Sequence, residues 1–392
     1  MRTITLAIIM GAAFSLAPAM AAPPDPNSEA ALRQTLMRQF DTFLQDPNAF
    51  AQRVGRECRG FPEGDLLPYT LSACAYVQIG LSDPNQRGIA IKRVEQLLDL
   101  ARTSVLKRVK TDDRGLAGIS DYQRQATYLG QYNLALGGYR LLGGKRFSAE
   151  HKAISDALHA GLVRADGGPL ASYPYLTWTF DTIPCLVSLR LYDHLAGKAR
   201  SAPAITRHLN WLAERATHPA TGLPFSQADP NTGKGIAPPR GCELSWRLAL
   251  MADLDAPAAR RLYANYVRSF WLDRTILAGF AEWPGGEESR QDFDSGPVIM
   301  GIGSSATAFG LAAAKAAGDT TRRARLAHQA VNGMELLKRL IALAPESAKA
   351  YTMGGKIDTD SPYSTGFLFG DACLFYSVTW RRWLPDAPPG SK

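Results

Sequence analysis

The chain has 392 residues, 46% of them hydrophobic and 20% charged, and its 44 Lys and Arg against 36 Asp and Glu give a formal net charge of +8. That excess is modest, and its members (Lys92, Arg93, Arg102, Lys107 and Arg108, then Arg322, Arg323 and Arg325) are dispersed along the chain. They form no basic arm with interleaved aromatics, which excludes a nucleic-acid partner from the expectations.

At the start, Arg2 precedes an apolar run over 4–16 and then Ala19-Met20-Ala21, the small-x-small pattern of a signal-peptidase site. Residues 1–21 are therefore expected to be a signal peptide. The run is shorter than the roughly 20 apolar residues a spanning helix needs, and Pro23, Pro24 and Pro26 follow it. No later segment is long and uncharged enough to span. The expectation is a periplasmic or secreted chain with a single domain over 22–383 and a flexible tail over 384–392.

The periodicity predicts helices over 29–44, 66–80, 86–108, 122–142, 148–164, 182–196, 203–217, 242–253, 256–272, 296–317, 320–343 and 365–383. Two kinds alternate. Ile91, Val94, Leu98, Ala101 and Val105 mark one face of an amphipathic helix whose other face carries Lys92, Arg93, Glu95, Asp99 and Arg102. By contrast, 183–195 and 298–317 are apolar nearly all round. Wet outer helices alternating with dry inner ones, about twelve in six pairs, predict an all-α (α/α)6 toroid. Inner-to-outer links are short turns such as Ser82-Asp83-Pro84-Asn85 and Gly318-Asp319. Outer-to-inner links run to about 13–24 residues, beyond the usual length in compact domains. These long loops all fall at one end of the toroid, where a site is expected.

Their junctions with the inner helices hold the candidate site residues: Tyr122 and Gln125; Tyr173, Tyr175, Trp178 and Asp181; Arg240, Glu243 and Trp246; Glu282, Trp283, Asp292 and Asp294; and Tyr363. Acids ringed by aromatics suit a flat or sugar-like substrate, and two carboxylates can divide acid and base roles once their environments separate their pKa values. Asp181, Glu243, Asp294, Asp292 and Glu282 are the candidate catalytic acids; the aromatics, Gln125, Gln131 and Arg240 are candidate substrate contacts. A plainer role competes at three of them. Asp181 and Asp294 also stand where helix N-caps are expected, and Glu243 stands in a first turn that favours an acid.

Metal and cofactor are not expected. No His pair has zinc-motif spacing, and Asp292-Phe293-Asp294 and Asp358-Thr359-Asp360 lack the remaining ligands of a calcium loop. Gly301-Ile302-Gly303 follows no predicted strand, so it is not a nucleotide fingerprint. Five cysteines cannot all pair within one chain. Cys58 and Cys74, flanking a Pro/Gly segment, are the expected disulfide, with Cys185, Cys242 and Cys373 as packing thiols.

Several stretches resemble the linalool dehydratase/isomerase family: residues 128–134 (YLGQYNL), 189–197 (LRLYDHLAG), 245–249 (SWRLA) and the small-residue helix ending at Gly318-Asp319. The resemblance runs from about 122 to 319 and implies a secreted (α/α)6 enzyme acting on a terpene alcohol without a cofactor. It places the family's catalytic cysteines at Ser172 and Asp181 and its histidine at Gln131, so the thiol pair is absent. The leading expectation is an acid/base enzyme on a hydroxylated small molecule or oligosaccharide, of glycoside hydrolase or lyase class. A hydro-lyase or isomerase on a small alcohol and a non-catalytic envelope binding protein stand as alternatives, and self-association is left open.

Overall fold

The computed structural model describes residues 25, 27–274, 277–286, 292–343 and 368–385. The expected signal peptide, Tyr363 and the 358–360 acids lie outside them, as does all of the tail beyond 385. Thirteen α-helices are present among the described residues: α1 (Ser28–Phe43), α2 (Pro47–Glu57), α3 (Leu67–Ser82), α4 (Arg87–Leu106), α5 (Ala126–Leu141), α6 (Ser148–Arg164), α7 (Thr182–Leu195), α8 (Ala202–Arg215), α9 (Gly241–Met251), α10 (Ala256–Phe270), α11 (Ser304–Ala317), α12 (Thr320–Leu343) and α13 (Leu368–Thr379).

Six of them form a closed inner ring in which α3 packs on α5, α5 on α7, α7 on α9, α9 on α11, α11 on α13 and α13 back on α3. The outer layer is α1, α4, α6, α8, α10 and α12, so the chain is an (α/α)6 toroid. Burial follows from sequence. All eleven residues of α9 are buried, as is every residue of α3 from Leu67 to Gly80. On outer α10 only Ala256, Ala259, Tyr263, Tyr266 and Phe270 are buried, one stripe at helical spacing. Close approach within the ring needs small residues in places. A Cβ on Gly130 of α5 would stand 2.6 Å from the Cys185 sulfur of α7.

Three sequence expectations are corrected. The helix expected from 296 begins only at Ser304, because Val298–Ile299 and Ile302–Gly303 pair as an antiparallel hairpin. Met300 and Gly301 turn it with φ of 53° and 82°, a conformation that the small-residue pattern concealed. An additional short helix, α2, is present at 47–57, capped by Asp46, whose side chain accepts from the Asn48 and Ala49 amides. Three further two-stranded ribbons (217–224, 227–237 and 271–280) brace the loops, with strands of only two or three residues, too short for alternation to show.

The disulfide expectation is also overturned: all five cysteines are free and buried. Cys58 ends α2 and stands in electrostatic reach of Tyr69 and Asp371. Cys74 is five residues further along α3 than Tyr69 and is felt by Tyr376 on the ring interior. Five helical residues are about 7.5 Å of rise, more than the Cα separation a disulfide bridges.

Candidate active site

A cavity opens at the loop end of the ring, enclosing empty space of about 620 Å³ including its mouth. Its lining brings together Glu63, Asp181, Glu243 and Asp294 with Gln131, Thr127, Arg240 and Cys242, and its walls are Trp178, Phe180, Trp246, Phe309, Phe369 and Leu67. Trp246 stacks on Phe309 at 4.7 Å between ring centres and meets Phe180 at 4.8 Å. Three expected acids and four expected contacts (Gln131, Trp178, Arg240 and Trp246) therefore share one chamber.

Asp181 stands at the entry to α7, yet its side chain caps no backbone amide. Instead its Oδ2 accepts the Thr127 hydroxyl of α5 at 2.6 Å, and the Ser172 hydroxyl also bonds its carboxyl. The loop before it is folded tightly, with the Trp178 amide donating to Ser172 Oγ at 2.8 Å and the Thr179 amide to the Ser226 carbonyl at 2.9 Å. Burial raises the Asp181 pKa to about 6, against the pull of those hydroxyls.

Glu243, one turn into α9, pairs with Arg247 on the same helix face. Arg247 is fully buried and also donates to Thr179 Oγ1 at 2.7 Å. The second carboxylate oxygen of Glu243, Oε2, is buried without a partner. Burial raises this group to about 7, Arg247 opposing and the Asp181 charge assisting.

Asp294 does not open a helix, since α11 starts ten residues later. It faces the chamber 3.7 Å from Arg240 Nη1, its side chain 43% exposed to the cavity mouth. Although the side chain reaches the mouth, desolvation by the protein packed around it raises its pKa to about 6, Arg240 working against and Asp292 and Asp181 adding to the rise. Its neighbour Phe293 stacks on Phe61 at 5.1 Å, pressing the Asp294 loop onto the loop that carries Glu63.

Glu63 is the acid that sequence reading missed, along with the lining residues Thr127, Phe180, Phe309 and Phe369. It lies in a short 3-10 turn, Pro62–Asp65, held by the Tyr128 hydroxyl on the Pro62 carbonyl. Burial, then the charges of Asp294 and Asp181, raise its pKa to about 8. The signal was available: the stretch from outer α1 to inner α3, which holds α2 and 58–66, belongs to the same loop end.

Two expected catalytic acids have other work. Glu282 is fully buried, bonds Arg240 Nε and accepts the Cys242 amide at 3.2 Å at the N-terminus of α9. Asp292 bonds Arg240 Nη2 and accepts the Ser295 amide at 3.0 Å, closing a tight turn. Neither lines the chamber; together they fix Arg240. Among the expected contacts, Trp283 packs on Arg240, 5.6 Å from ring centre to guanidinium, outside the lining. Tyr122 packs on Gly161, Tyr173 pairs across a turn with Leu176, Gln125 precedes α5, and Tyr175 is 91% exposed at that turn's tip. None of these four lines the cavity.

No family model matches the chain, and no curated protein does. Among solved structures the chain is similar to a family 76 glycoside hydrolase from a bovine Bacteroides thetaiotaomicron strain. The identity is 10% and the TM-score 0.48, over 82% of this chain and 70% of that one.

Proposed function

We propose that the chamber is the active site of an acid/base enzyme that hydrolyses a glycosidic bond. The observation that supports this is the convergence of four carboxyl groups on one aromatic-walled cavity with proton affinities spread from about 6 to about 8. Groups separated in this way can divide acid and base roles near neutrality. In this reading Glu63, protonated, gives its proton to the departing glycosidic oxygen as the C–O bond breaks. Asp181, ionised and steadied by Thr127 and Ser172, takes a proton from the water whose oxygen forms the new bond to the same carbon. The aromatic walls hold sugar faces, and Gln131 bonds a hydroxyl.

The apolar run at 4–16 with its small-x-small site supports export of the enzyme to the periplasm or medium. No helix among the described residues is long and apolar enough to cross a membrane.

A second reading, elimination of water from a small alcohol, has one observation in its favour. The positions the family resemblance assigns to catalysis, Ser172, Asp181 and Gln131, meet at this cavity, with Ser172 bonded to Asp181 and the other two in its lining. Reducing-end release from a panel of glycans and aryl glycosides, run beside product analysis of tertiary and allylic alcohols, separates the two. Sugar release that Asp181→Asn abolishes supports the first. Alkene formation without sugar release supports the second, and saturable binding with neither product supports a binding protein.

A further inference from the structure

The cavity has an electrostatic character that goes beyond acid/base chemistry. Four carboxyl groups line it, and two more, Glu282 and Asp292, stand behind Arg240. Three guanidinium groups oppose them: Arg108, whose charge reaches Glu63, and Arg240 and Arg247, each tied to buried carboxylates. Arg240 places its Nε on Glu282 and its Nη2 on Asp292, with Nη1 near Asp294. Arg247 is held by Glu243 and Thr179. Arg240 is the cation among the lining residues, and three carboxyl groups already compete for it, so an anionic substrate group would have to displace Asp294 from Nη1.

Among the buried polar groups of the lining that remain open to a ligand are Glu243 and Gln131. Glu243 is 7% exposed and its Oε2, on a side chain that lines the cavity, has no partner. Gln131 is 2% exposed, lines the same cavity and makes no side-chain hydrogen bond among the described residues. Around them stand the rings of Trp178, Phe180, Trp246 and Phe309. Aromatic faces with a free carboxylate oxygen are the complement of an ammonium group, through ring quadrupole and charge-assisted hydrogen bonding.

We infer that the substrate carries a positive charge, in the form of a sugar with a free amino group, and that Glu243 receives that ammonium. The inference rests on reading the cavity as a glycoside-binding site. An N-acetylated sugar loses the charge, and a uronic acid reverses it against uncompensated carboxylates. The carboxyl groups that already surround Arg240 argue likewise against a lyase acting on uronates, which would have to neutralise a substrate carboxylate.

The test is calorimetric binding at about pH 7, where Glu243 is substantially ionised and an amino group still carries much of its charge, using tetrasaccharides of 2-amino-2-deoxyglucose, of its N-acetyl form and of a hexuronic acid. The amino form is expected to bind at least tenfold more tightly than the N-acetyl form, and the uronate not at all. Glu243→Gln should reduce that preference at least fivefold while leaving N-acetyl binding within a factor of two. If Glu243→Gln does not fold, Asp294→Asn at the half-exposed position should reduce it at least threefold. Equal or tighter binding of the N-acetyl or uronate form overturns the inference, as does a preference that neither variant moves. Cleavage of neutral glycosides with the amino sugar excluded would end the inference and keep the glycosidase reading. Preferential binding of the amino sugar without cleavage of any glycoside would do the reverse.

Discussion

The Thr127 hydroxyl of one inner helix donates to Asp181 Oδ2 at the head of the next, at 2.6 Å, where the aspartate would otherwise have been free to cap its own helix. This bond holds the carboxylate toward the chamber and favours its ionised form. Thr127→Val is expected to raise the Asp181 pKa above about 6 and shift the acidic limb of the kcat/KM profile to higher pH. A limb that stays in place would remove Asp181 from the role of base.

A bell-shaped pH profile follows from the two assigned roles. Activity should fall below about pH 6 as Asp181 takes up a proton and above about pH 8 as Glu63 loses one. Glu63→Gln should lower kcat by at least about 100-fold, the lower range for a general acid, with the alkaline limb lost from what activity remains. An unchanged alkaline limb in that variant would assign the acid to another group.

Stability should also carry the mark of these carboxyls. A carboxyl whose folded pKa lies above its unfolded value favours the folded state at low pH, and that contribution is lost as pH rises through the folded pKa. His151 and His208, pushed down to about 3 and about 4 by burial, act oppositely but only below their unfolded value of 6.5. Between pH 6.5 and 8.5 the carboxyl effect is therefore unopposed by them. The Tm is expected to fall across that window as Glu243 and then Glu63 ionise. In the double variant Glu63→Gln, Glu243→Gln the slope should flatten, whatever its absolute Tm.

Arg240 is a different kind of residue, structural first. Replacing it by Gln leaves Glu282, fully buried, without its guanidinium, and such a loss costs about 3–5 kcal/mol. Adding Glu282→Gln should recover a large part of it in urea unfolding. Recovery of nothing would mean that Arg240 stabilises the loop by packing on Trp178 and Trp283 alone.

Thiol titration of denatured, unreduced protein should count five free groups, matching the buried free cysteines. A count of three would restore the Cys58–Cys74 bridge.

Much of this fold is legible because burial writes itself into composition: α6 and α12 span the residues their periodicity predicts, and the dry segments are the inner ring. Loop length pointed to the end of the ring where the cavity opens, since among the described residues the long links lie at that end. What periodicity cannot carry is the partner of each side chain. Glu282 and Asp292 read as site acids because a carboxylate that neutralises an arginine and one that faces a substrate look alike in sequence. Glu63 was hidden because its Pro/Gly turn resembled a hinge between two cysteines. Tyr175 shares a short loop with Trp178, but a reversal of the chain between Tyr173 and Leu176 sends it into solvent.

Whether Asp181 is held in place for chemistry and not for stability is decided by Asp181→Asn, comparing turnover of the glycoside identified in the reducing-end screen with the free energy of unfolding at pH 7. Asp181 is buried with its pKa raised to about 6, so at pH 7 its ionised form costs the fold roughly 3 kcal/mol. Asn keeps an acceptor for Thr127 and carries no charge. Turnover is expected to fall by at least about 100-fold in a protein at least as stable as the parent. Turnover within a factor of two of the parent, or a protein destabilised by the loss of the charge, would contradict it.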